Sequence, residues 1–152
     1  MIVSYDLARQ VAAEVASRVK VRFPAVRVEV YGPTEMAHGV FVEMKPMDPR
    51  AVYVEVFVIY DGSYLLNAGP NFCIESGVPH ESPGDLANQI FAEVEAFGTA
   101  GLVQVRGFRR PALFIRTWNG RPGVDDYIDK VLSSRFSTVI RTWRPWTSSE
   151  SA

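Results

Sequence analysis

The chain reads as an α+β domain: an antiparallel β meander packed against two amphipathic helices. Two observations predict this class. Valine recurs with a period of two through most of residues 26–67, and apolar stripes with i, i+4 spacing run through residues 4–23 and 84–97. The order helix, four strands, helix, two strands and short helix lacks the strict strand–helix alternation of a parallel sheet.

The first helix is expected over residues 4–23. Leu7, Val11, Val15 and Val19 with Ala8, Ala12 and Ala16 form its stripe, while Arg9, Glu14, Arg18 and Lys20 lie off it. Ser4 is placed to cap the start, Asp6 lies in the first turn, and Pro24 ends the segment. The alanines allow close approach to the valine face of the meander.

In the meander, Val26, Val28 and Val30 alternate with Arg27, Glu29 and Tyr31. Val40, Val42 and Met44 alternate with Phe41, Glu43 and Lys45, and Val52 to Val58 alternate with Tyr53, Glu55, Phe57 and Ile59. Charge suggests the register. Val28 opposite Val42 places Arg27 against Glu43, whereas a two-residue slip faces Glu29 with Glu43. Met44 opposite Val52 then keeps both valine faces on one side. Asp61-Gly62 predicts a two-residue type I′ hairpin, with Tyr64, Leu65 and Leu66 as the return strand.

Residues 68–82 read as a long loop. It ends at a helix start, with Ser82 as cap, Pro83 at the first helical position and Asp85 three residues after the cap. Leu86, Ile90, Val94 and Phe97 form the stripe of helix 84–97, which Gly98 is expected to close. A second hairpin over 102–118 is expected to extend the sheet. A short helix over 124–133 carries Asp125, Asp126 and Asp129, and Ser137 to Trp143 reads as a last strand. Residues 1–146 thus form one domain, and 147–152 a polar, frayed tail.

At 152 residues and 47% hydrophobic, the chain can bury a core without a staple. Its single cysteine precludes an internal disulfide, and no signal peptide or transmembrane run is visible, so a cytoplasmic protein is expected. The 13 arginines against 3 lysines fit a GC-rich bacterium or its phage. Residues 1–100 carry a net charge of −6 and residues 101–152 carry +5, an asymmetry that neutralises within one fold.

Catalytic and cofactor chemistry finds little purchase. Cys73 with His80, and Asn71 or Glu75 as orienting group, is the one cysteine-hydrolase arrangement, without a surrounding motif. His38 and His80 lack second ligands at metal spacing, and no phosphate-binding glycine motif occurs, so neither metal nor cofactor is expected. Arg106, Phe108, Arg109, Arg110 and Arg116 interleave cations with an aromatic, the alternative reading being a nucleic-acid surface. The pI near 6.1 counts against it.

The remaining signal is aromatic. Tyr31, Phe41, Tyr53 and Phe57 share the meander face opposite the valines, and Trp143 and Trp146 stand among arginines near the C-terminus. Aromatics rimmed by charge have the composition of a protein-binding patch. The element order loosely resembles small immunity proteins of bacterial toxin systems and the chaperones of secretion systems. That resemblance implies a non-catalytic protein whose partner is another protein; a homodimer is a separate expectation.

Overall fold

The computed structural model describes residues 5–32, 38–69, 72–76, 82–106, 112–116 and 138–146. The order is α1 (Tyr5–Arg22), β1 (Val26–Tyr31), β2 (Gly39–Pro46), β3 (Val54–Ile59), β4 (Tyr64–Ala68), β5 (Phe72–Ser76), α2 (Pro83–Ala100), β6 (Leu102–Arg106), β7 (Ala112–Arg116) and β8 (Thr138–Trp143). β1 to β5 form one antiparallel sheet in sequence order, and a second sheet has the order β7-β6-β8. The expected α+β class holds. The helix expected over 124–133 and the tail 147–152 lie outside the described residues.

α1 buries Ala8, Val11, Ala12, Val15, Ala16 and Val19. These meet the inner face of the sheet, where Val40, Val42, Met44, Val54, Val56, Val58 and Leu66 are inaccessible to solvent. Full burial of one such side chain contributes about 1.5–3 kcal/mol, so this contact dominates the local energetics. α2 lies beside α1, bridged by Arg18 Nη1 donating to Asn88 Oδ1 (2.7 Å) with the Arg18 guanidinium over Phe91 (4.3 Å). Its start follows the sequence signal. Ser82 Oγ accepts from the Asp85 N–H (3.1 Å) and donates to Asp85 Oδ2 (2.8 Å).

Four expectations about the meander and the loop after it are corrected. β1 and β2 pair with Val28 opposite Met44, two residues away from the charge-based register, so that Glu29 faces Glu43. Both registers bury the same valine face, and exposed cross-strand charges are worth only about 0.2–1 kcal/mol. The observed register sets Tyr31 opposite Phe41 and Phe41 opposite Phe57. The other would place Tyr31 against Gly39 and Phe41 against Glu29. Aromatic packing outweighs the charge term.

Met44 faces Val54 rather than Val52. Residues 50–52 are taken instead by the chain after β8: Arg144 N–H donates to Arg50 O (2.7 Å), and Val52 N–H to Arg144 O (3.1 Å). The β3–β4 hairpin uses three residues, Tyr60 to Gly62, not two. Ile59 O accepts from Gly62 N–H (3.1 Å), Ile59 N–H donates to Ser63 O (2.9 Å), and Gly62 takes φ 89°. Asp61 Oδ1 steadies the turn by accepting from the Ser63 N–H (2.8 Å) and Oγ. Fourth, part of the expected loop 68–82 is the fifth strand, β5, paired with β4.

The second hairpin joins β8 in its own three-stranded sheet instead of continuing the meander. β8 carries the chain back to α2, which runs to Ala100 and is capped by Gly101 at φ 76°, not by Gly98. Gly98 has a different role. Phe23 and Trp146 pack edge to face at 5.1 Å directly above it. A Cβ at Gly98 would lie 2.5 Å from Phe23 Cζ and 2.7 Å from Trp146 Cε3. Trp146 also donates its backbone N–H to Gly98 O (2.7 Å) and its Nε1–H to Val52 O (2.5 Å). Trp146 thus ties the end of α2 to the residues just before β3, its Nε1–H bond reaching 94 positions back along the sequence.

Gly98→Ala is a sensitive test of this junction. Helix propensity alone favours alanine by about 1 kcal/mol. Overpacking against two buried rings should reverse that sign and destabilise the protein by about 1–3 kcal/mol, read from urea unfolding. Unchanged or increased stability would mean that the rings are not held there.

A candidate protein-binding face on the open sheet

Both helices lie on the valine side, so among the described elements the outer face of the five-stranded sheet carries no covering layer. Its organisation follows from the register. One row crosses the strands as Tyr31, Phe41, Phe57 and Leu65. The adjacent row is Glu29, Glu43, Glu55, Asn67 and Cys73, and beyond it Arg27 faces Lys45. An aromatic row, an acidic row and a basic pair therefore lie side by side.

The aromatic row is a stack. Tyr31 and Phe41 are 5.1 Å apart with planes within 9°, and Phe41 and Phe57 are 4.4 Å apart within 20°. Tyr31 is 39% exposed, whereas Phe41, Phe57, Leu65 and Ile59 are half-buried by their neighbours on the sheet. Gly39 is buried under the Phe57 ring, where any larger residue would strike it. The face thus offers ring surface already ordered by its own packing, with little side-chain entropy left to lose on binding.

The acidic row sets three carboxylates directly opposite one another, an arrangement that costs energy unless each has a partner. Each has one. Arg27 Nη2 lies 2.6 Å from Glu29 Oε1, and Lys45 Nζ 2.6 Å from Glu43 Oε1. Tyr31 and Tyr53 donate their hydroxyls to Glu55 Oε2 at 2.8 and 3.3 Å. The hydrogen bond from Lys45 holds the Glu43 carboxyl below the usual carboxylate range. Desolvation, reinforced by Glu55, pushes both phenols well above the ordinary tyrosine value.

The sequence-derived candidates divide accordingly. Tyr31, Phe41, Tyr53 and Phe57 are brought together on this face. Trp143 and Trp146 are not part of it: at 6% and 8% exposure they are core residues, so their place in a surface patch is corrected. The tryptophan signal was composition alone, and hot-spot residue types are equally good core residues. Leu65 and Asn67 were missed, although the period of two continues through them.

The other arrangements do not assemble among the described residues. Cys73 is exposed on the edge strand β5, but Asn71 and His80 lie outside the described residues. Arg106 ends β6 and Arg116 ends β7, and Phe108, Arg109 and Arg110 lie outside the described residues too. His38 is exposed, and among the described residues no group of three or more His, Cys, Asp or Glu is placed to hold a metal. No described helix is long and apolar enough to cross a membrane.

The row predicts two pH limits. A folded-state carboxyl held low contributes stability above the unfolded carboxylate value, which is lost as pH falls through the folded one. A phenol held high releases its proton later in the folded state than in the unfolded chain, so stability is lost as pH rises above about 10. Urea titrations across pH should show both losses. Tyr31→Phe with Tyr53→Phe should flatten the alkaline limb, and an unchanged limb would refute the Glu55 network.

No protein-family model matches the chain, no curated protein matches it, and no solved structure matches it.

Proposed function

We infer that this is a small non-catalytic protein that binds another protein through the open face of its five-stranded sheet. The observation that carries the reading is the position of the stacked row Tyr31, Phe41 and Phe57 on the face that neither helix covers. Preordered aromatics beside a line of carboxylates form an apolar strip with a charged rim, the anatomy of an interface centre and its surround. A partner matched to it presents an apolar segment flanked by basic residues. Among biological roles, an immunity or antitoxin-like protein, or an accessory factor in secretion or phage assembly, uses binding of this kind without chemistry.

The reading is tested by recovering the partner with the tagged full-length protein from its native lysate and measuring the affinity of the purified pair. Tyr31→Ala with Phe41→Ala should weaken the complex by about thirtyfold or more while the fold is retained. A complex unaffected by that double substitution would remove this face from the interface. Binding to oligonucleotides that weakens steeply with salt would point instead to the arginine hairpin.

A further inference from the structure

We propose that the chain forms a two-fold symmetric dimer by antiparallel pairing of β1 with the β1 of a second copy, joining two five-stranded sheets into one of ten strands. β1 is an edge strand, and its six residues pair with β2 in unbroken register and contain no proline. Among the described residues nothing pairs with its other edge. Near its end, Val30 is 40% exposed although it belongs to the valine face.

Charge selects the partner and the register. On one copy, wherever β1 to β3 set two charges of these rows directly opposite one another they have like sign: Glu29 faces Glu43, Glu43 faces Glu55, and Arg27 faces Lys45. Relief from basic groups comes only along the strands. If Val28 lies on the two-fold axis, Arg27 falls opposite the second copy's Glu29, and Glu29 opposite the second copy's Arg27. The acidic row Glu55, Glu43, Glu29 then continues into the second copy's Arg27 and Lys45, and the reverse row does the same.

A relative slip of one residue between the two copies is excluded, because it would set outward side chains opposite inward ones in a continuous sheet. The next symmetric registers set Arg27 against the second copy's Arg27, or Glu29 against its Glu29. Only the Val28-centred register joins opposite charges in both rows. It also sets Val30 beside the second copy's Val26, covering the exposed valine. Such an interface is isologous, and it leaves the aromatic rows of both copies on one continuous face.

Sedimentation of the full chain should give twice its 17.0 kDa mass. Arg27→Glu and Glu29→Arg each turn two attractive pairs into two repulsive ones, and each should raise the dissociation constant about tenfold or more. Both side chains are exposed, at 74% and 49%, so the variants should retain the fold, which circular dichroism checks. Mixing the two single variants should restore association, since the copy with acids at both positions then meets the copy with bases at both. The combined swap, Arg27→Glu with Glu29→Arg, should dimerise by itself. A monomer at tens of micromolar, singles that dimerise like the parent, or a mixture that stays monomeric would each overturn the proposal.

Discussion

The structure depends on burying one face of a five-stranded sheet under helices that come close. α1 presents Ala8, Ala12 and Ala16 between its valines, so its backbone sits near the sheet and reaches β1, β2 and β3. Valine is stiff at χ1 and fills a pleated surface without a large entropic loss. With the helices committed to that side, everything outside it inherits a fixed layout. The outer residues have no described layer above them and must satisfy one another across strands.

That constraint explains the outer face. A ladder of three opposed glutamates would be a poor choice if charge decided register. It persists because slipping the strands would separate Tyr31, Phe41 and Phe57, whose contacts are close and whose surface is removed from water along with them. The carboxylates are then accommodated one at a time, by Arg27, Lys45 and the two phenols. Electrostatics here follows packing, as expected where charges are partly solvated and screened.

A second organising contact closes the described fold at the opposite end. Trp146 lies over Gly98, stacks edge to face on Phe23 and donates to the Gly98 carbonyl, one of the acceptors that the last turn of a helix leaves open. It thereby links the end of α1, the end of α2 and the residues just before β3. The strand expected to begin at Val52 begins at Val54 because the residues before it are engaged by the segment Arg144 to Trp146. The two tryptophans that look like surface anchors in the sequence are the fastening of the core.

The sequence by itself determined the two long helices, the four strands of the meander within residues 26–67, the inward valine face and the identity of the outward aromatics, because periods of 2 and 3.6 report which side of an element is buried. The Ser82 cap was legible for the same local reason, since its partner lies three residues away. Tertiary structure alone decided the strand register, the fifth strand, the end of α2 and the burial of Trp143 and Trp146. Each of these turns on contacts between residues far apart in the chain, where alternatives of equal local quality differ only in what packs against them. The aromatic row belongs to both: its members are written in the alternation, but their alignment into a stack exists only once the strands are paired.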